Sequence, residues 1–235
     1  MNVRGAAAPT KRLATHFSPR LVLFDLDGTL VDSVKDLAGA AQQMMRTLGR
    51  VAPTVECVRR YVGNGIERLV HRCLTGDMHA DAQSNEYQHA LELFMAFYEQ
   101  HNARRSTVYA GVVEGLEATA KFGAHLACVT NKSQRFAQPL LHAMNLHHYF
   151  ELVVCGDTTR HKKPHPAPLQ FAMDYFSLMP AQVLFVGDSA NDVQAARAAE
   201  MPVVCVDYGY NHGQDIADAR PDAVLSSLAE LRAWL

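Results

Sequence analysis

The chain has 235 residues, enough to bury a substantial core in one domain or two modest ones. Hydrophobic residues make up 49% and charged residues 20%, and a net charge of -2 supplies no basic field for nucleic acid or an anionic membrane. No apolar run reaches the length of a bilayer span, and five scattered cysteines without a C-x-x-C pair exclude a zinc or dithiol motif and fit a reducing cytoplasm.

Residues 1–19 are Ala-rich, carry Arg4, Lys11 and Arg12, and lack the apolar centre of a secretory signal, so they read as a flexible N-terminal extension. Leu21, Val22, Leu23 and Phe24 then predict a strand covered on both faces, as in a parallel α/β sheet. It stops at Asp25, Asp27 and Gly28, two carboxylates with period-two spacing before a residue that permits a sharp turn. From Ser33 the period becomes helical, with Leu37, Ala40, Ala41, Met44 and Leu48 on one stripe. Ser33 with Asp36 resembles a capping box, and Gly49 is a stop signal. Helices over 55–61, 66–74 and 85–100 follow, the second entered through Val62-Gly63-Asn64-Gly65. Residues 34–106 thus read as a helical domain inserted into an α/β core formed by 20–33 and 107–235.

The core pattern resumes with a helix over 112–122 and a strand over 125–129 that ends in Thr130-Asn131-Lys132. A helix over 133–144 and a short strand over 152–155 lead to a polar loop holding Lys163 among Pro164, Pro166 and Pro168, which fix the local backbone. A helix over 169–176 precedes the strand 183–186, which runs into Gly187-Asp188-Ser189 with Asp192 one helical turn on. A helix over 193–200, strands over 203–206 and 223–225, and a terminal helix over 228–235 complete a Rossmann-like, doubly wound parallel sheet.

Several strands therefore end in polar residues at their C-terminal ends, which share one edge of a parallel sheet. Asp25, Asp27, Asp188 and Asp192 form a hard-oxygen set that suits Mg2+, while Thr130, Asn131 and Lys163 offer donors to an anion. Cation, anion donors and a spare carboxylate describe phosphoryl transfer. A carboxylate ~4 Å from one unit of phosphate charge is repelled by ~4 kcal/mol at an effective dielectric of ~20, so a carboxylate nucleophile needs the metal and the lysine to approach phosphorus.

The string Asp25-Leu26-Asp27-Gly28-Thr29-Leu30-Val31-Asp32-Ser33 resembles the first motif of the haloacid dehalogenase superfamily. Thr130 resembles its second motif, Lys163-Pro164 its third and Gly187-Asp188-Ser189-Ala190-Asn191-Asp192 its fourth, in the same order, and the helical segment resembles its C1 cap. Val62-Gly63-Asn64-Gly65, Thr130-Asn131-Lys132 and Tyr208-Gly209-Tyr210-Asn211 resemble the superfamily's phosphoglycolate phosphatase branch.

The resemblance implies a phosphatase acting on 2-phosphoglycolate, with another small phosphate ester or pyrophosphate as the alternative and a non-catalytic binding protein as a remote one. It implies Asp25 as nucleophile and Asp27 as general acid and base, with acidic neighbours raising the pKa of Asp27. Thr130 and Asn131 hold the phosphoryl group and Lys163 neutralises it. Mg2+ is bound by Asp25, the backbone carbonyl of Asp27 and Asp188, with Asp192 supporting from behind. In the cap, Gly63, Asn64 and Gly65 offer backbone N–H groups and Arg68 a bidentate partner for the substrate carboxylate. The expected partner is a small phosphorylated metabolite, with no nucleic acid or membrane, bound by a cytoplasmic monomer or homodimer whose cap opens about 30–34 and 106–111.

Overall fold

Strand β1 (Leu21–Phe24) has no exposed residue, because its alternate side chains enter two different cores. Val22 and Phe24 pack on one face of the sheet, Leu21 and Leu23 on the other. That double burial requires helices on both faces, as the continuous apolar run implies. The computed structural model describes residues 17–235; the predicted N-terminal extension lies outside them up to residue 16, and Phe17 packs on the first of these cores.

Beyond β1 the chain forms β2 (Val31–Asp32), then four helices: α1 (Val34–Thr47), α2 (Val55–Tyr61), α3 (Ile66–Thr75) and α4 (Ser84–His101). It returns through β3 (Thr107–Val108) to α5 (Val112–Phe122), β4 (His125–Val129) and α6 (Gln134–Ala143). After β5 (Leu152–Val154) come α7 (Ala167–Phe176), β6 (Val183–Gly187), α8 (Ala190–Ala198), β7 (Val203–Val206) and β8 (Ala223–Leu225). The main sheet has the order β5-β4-β1-β6-β7-β8, parallel throughout. Helices α5 and α6 cover the Phe24 face, and α7 and α8 the Leu23 face. The neighbours of β1 are β4 and β6, so the C-terminal ends carrying Asp25, Thr130 and Asp188 lie side by side.

Helices α1 to α4 share a third apolar cluster, built around Leu37, Met44, Val58, Leu69, Phe94 and Tyr98 and joined by Phe136 and Tyr210 from the core. Both crossings between core and helical insert run through an antiparallel ribbon that the sequence reading missed, pairing Val31 with Val108 and Asp32 with Thr107. Two-residue strands are too short to register as a period.

Two other local readings are corrected. Ser33 does not cap α1: its hydroxyl donates to Asp27 instead. Asp36 is fully buried and accepts from the backbone N–H groups of Arg105 and Ser106, at 2.9 Å each, and from the Ser106 hydroxyl at 2.6 Å, so it ties the start of the insert to its end. At the C-terminus, Leu228–Ala233 is a 3-10 helix rather than an α-helix; Ser227 caps its first turn through Ala229 N–H.

Candidate active site

Gly28 shapes the turn after β1. Its φ of 93° is left-handed, and a Cβ there would stand 2.2 Å from Asp188 Oδ2. Absence of a side chain lets the loop close against Asp188, which accepts from Thr29 Oγ1 at 2.9 Å and from Tyr210 N–H at 2.6 Å. Gly209 also packs against Asp188, its virtual Cβ lying 2.2 Å from Asp188 Cβ.

Lys163 is almost fully buried beneath β1. Its ammonium lies 2.8 Å from Val129 O, from Asp192 Oδ1 and from Asp25 Oδ1. The Asp25 contact is a close buried ion pair, and beyond it Asp25 Oδ1 has no hydrogen-bond partner. Burial raises the Asp25 pKa, Lys163 opposes that and Asp192 adds to it, and the carboxyl settles at about 6. Asp188 is also pushed well above the usual carboxylate range, by burial first and then by Asp192 and Asp25. Burial opposes the charge on Lys163, but the adjacent Asp192 and Asp25 outweigh it and its pKa rises.

Oxygens of Asp25, Asp188 and Asp192 lie within 4.8 Å of one another. Asp192 is already engaged: Oδ1 accepts from Lys163, and Oδ2 from Asp188 N–H at 3.2 Å, Ser189 N–H at 3.0 Å and Ser189 Oγ at 2.7 Å. The bond from Ser189 N–H, the N-cap of α8, satisfies one of the free donors at the start of that helix and helps fix the loop after β6.

Asp27 stands apart from this cluster. Both its oxygens lie 3.1 Å from Lys132 Nζ, and Ser33 donates to one of them. Its nearest charged neighbour is thus a cation, contrary to the acidic surroundings expected from sequence. Lys132 is the residue that the sequence reading left out of the site. It stands next to Thr130-Asn131 after β4, and only the fold shows it reaching Asp27 and, at 2.6 Å, the Tyr98 hydroxyl. Burial works against its charge, but Asp27 and then Tyr98 raise its pKa. Burial above all lifts Tyr98 to about 12.

A cavity of about 40 Å³ separates the two carboxylates from the insert. Asp25, Asp27, Thr130 and Lys132 line its core side, and Gly63, Gly65 and the apolar Leu37, Val62, Ile66 and Leu69 its cap side. The Asn131 side chain is spent within the protein: Nδ2 donates to Gly63 O and Lys163 O, and Oδ1 accepts from Lys163 N–H, each at 2.9 Å. It has no capacity left for a phosphoryl group, so its side chain positions the other residues instead. Asn64 likewise bonds Asn191 at 3.1 Å and Arg72 at 2.9 Å. Arg68 is turned away from the cavity, toward Asp81 at 2.8 Å and the Ala80 carbonyl, which removes it as a partner for a substrate carboxylate in this arrangement.

Two nearly buried aspartates on adjacent strand ends, Asp25 and Asp188, a lysine shared between Asp25 and Asp192, and Asp27 facing a cavity below the helical insert bring carboxylates and ammonium groups together in one place. The wider comparisons agree. A family described as "Haloacid dehalogenase-like hydrolase" matches residues 22–206. A phosphoglycolate phosphatase of Nitrosococcus oceani is 46% identical over 217 residues, covering 92% of this chain and 96% of that protein. One of Thiobacillus denitrificans is 47% identical over 211 residues, covering 90% and 93%. The crystal structure of a predicted phosphoglycolate phosphatase from Haemophilus somnus superimposes with a TM-score of 0.86 at 34% identity, covering 92% of this chain and 97% of that one. Fold, strand-end carboxylates and near-full-length similarity converge on one conclusion: this chain belongs to the haloacid dehalogenase-like hydrolases.

Proposed function

We propose that this chain hydrolyses 2-phosphoglycolate to glycolate and phosphate through an aspartyl-phosphate on Asp25. The observation that carries this reading is the separation of two carboxylates around one cavity, Asp25 against Lys163 and Asp27 against Lys132, in a chain 46% identical to a phosphoglycolate phosphatase. Asp25 attacks phosphorus, and Lys163 keeps its carboxylate oriented and offsets the charge that gathers there. Asp27 gives a proton to the leaving alkoxide oxygen and then takes one from the water that cleaves the aspartyl-phosphate. Thr130, buried at the cavity wall, donates to the transferring group.

The donor set fits a hard divalent cation. Oxygens of Asp25 and Asp188 lie close together, Asp25 Oδ1 has no partner besides the Lys163 ammonium, and both carboxyls are pushed toward the protonated state in the cation's absence. Asp25, Asp188 and the backbone carbonyl of Asp27 would hold Mg2+, with Asp192 retained for Lys163 and the α8 cap. Bound there, Mg2+ supplies Lewis-acid stabilisation of the phosphoryl oxygens.

A cavity of about 40 Å³ holds a few water molecules, so a phosphomonoester enters as the insert swings on the β2–β3 ribbon and is then shielded from bulk water. The small, partly apolar chamber favours a compact ester over a sugar phosphate. The cysteines of the described residues are free, which fits a reducing cytoplasm, and no helix among those residues is long and apolar enough to cross a membrane.

The test is phosphate release from a panel of small phosphomonoesters and pyrophosphate, with Mg2+ and with EDTA, using wild type and Asp25→Asn. The expected result is a kcat/KM preference for 2-phosphoglycolate that disappears with EDTA and in the variant. Equal turnover across the panel would pass the substrate to the broader class of small phosphates, and no turnover of any ester would reject the enzyme reading.

A further inference from the structure

A phosphomonoester that carries a second anion needs a second cation in this chamber. Among the described residues lining the cavity, Lys132 is the only cation; the rest of that wall is two carboxylates, small polar groups and apolar side chains. Lys163 is committed to Asp25, Asp192 and a carbonyl, and Arg68 faces Asp81. Lys132 is itself buried, held from behind by the fully buried Tyr98 hydroxyl, with its ammonium directed to both oxygens of Asp27.

We infer that Lys132, positioned by Tyr98, binds the carboxylate of the substrate. The inference rests on the reading of 2-phosphoglycolate as substrate and of Asp27 as the group that meets the ester oxygen. One methylene separates that oxygen from the carboxylate carbon. An ammonium that touches Asp27 therefore stands within reach of the carboxylate when Asp27 touches the ester oxygen. An ammonium has three N–H donors, enough to serve Tyr98, Asp27 and a substrate oxygen together. Specificity then resides on the core side of the cavity, while the apolar cap side excludes water and larger alcohols.

The decisive quantity is the ratio of kcat/KM for 2-phosphoglycolate to kcat/KM for ethyl phosphate, which has the same kind of alkoxide leaving group and no carboxylate. Lys132→Gln is expected to lower this ratio by about 10- to 100-fold, the range for losing a hydrogen bond to a charged group, with the larger part in KM. Competitive inhibition by glycolate, which reports carboxylate binding without proton transfer, should weaken in parallel. Tyr98→Phe keeps the buried ring and removes only the oxygen behind Lys132; it should lower the same ratio several-fold, and it decides the matter if Lys132→Gln does not fold.

If Lys132 serves only Asp27, both esters lose the same factor, the ratio stays at its wild-type value and the inference is overturned while the proposed activity stands. A wild-type enzyme that shows no preference for 2-phosphoglycolate over ethyl phosphate overturns both.

Discussion

Asp25→Asn should stabilise the metal-free protein, and the gain should depend on pH. Asp25 has a pKa of about 6 in the fold against 3.8 as its ordinary value, chiefly because burial penalises its charge. Between those two values the folded chain binds more protons than the unfolded chain, so stability is fully present below pH 3.8 and falls as pH rises through 6. The shift of about two units corresponds to a cost on the order of 3 kcal/mol above pH 7, at about 1.4 kcal/mol per unit. Asparagine has the same shape and no charge to bury, and Lys163 keeps Asp192 and the Val129 carbonyl as partners. In EDTA, the melting temperature of the variant should exceed that of wild type by about 5–10 °C at pH 8, given roughly 2–4 °C per kcal/mol for a chain of this size, and the difference should shrink toward pH 4.5. Thermal unfolding followed by circular dichroism across that range makes the measurement. A difference that stays constant with pH, or a variant less stable than wild type at pH 8 in EDTA, would refute the argument that Asp25 is held in the fold at an electrostatic cost.

The neighbouring groups give further expectations. Lys163→Met leaves Asp25 and Asp192 buried without their cation and should cost about 3–5 kcal/mol in urea unfolding at pH 8, far more than a surface lysine change. Asp36→Ala strips the buried acceptor from Arg105 N–H, Ser106 N–H and the Ser106 hydroxyl; a loss of about 2–4 kcal/mol and early proteolytic cutting near residue 105 are expected. Adding Mg2+ to metal-free protein at pH 6 should release protons, because Asp25 is then about half protonated and Asp188 is shifted in the same direction. Calorimetry in two buffers of different ionisation enthalpy counts those protons, and Asp25→Asn should release fewer.

How much of this was legible beforehand follows from the range of each signal. The continuous apolar run of β1, the helical stripe of α1 and the polar residues at strand ends are local patterns, and the structure places them within a residue or two of expectation. Asp25, Asp188 and Lys163 could be brought together on paper because parallel strands share an edge. What failed was direction. Asp36 carries the local signature of a cap partner, but backbone donors that belong to Arg105 and Ser106, some seventy positions away, claim it. Arg68 sits on the expected helix, yet Asp81 and the Ala80 carbonyl turn its guanidinium outward. Lys132 could not be assigned at all, since its two partners, Asp27 and Tyr98, are joined to it only by the fold.

The charges of the site also order the events within it. When all four carboxylates are ionised, Asp25, Asp27, Asp188 and Asp192 face two ammonium groups, Lys132 and Lys163; four negative charges less two positive ones leave an excess of two, and burial of Asp25 and Asp188 resists that state. A phosphate dianion ~5 Å from that excess is repelled by on the order of 10 kcal/mol at an effective dielectric of ~20. No rearrangement of the lysines removes this, because each is already held between carboxylates or by Tyr98. A divalent cation held by Asp25 and Asp188 would offset that excess and favour the ionised form of Asp25. The expected order under the proposed function is therefore cation before phosphate: a phosphate analogue such as vanadate should bind in the presence of Mg2+ and not in EDTA.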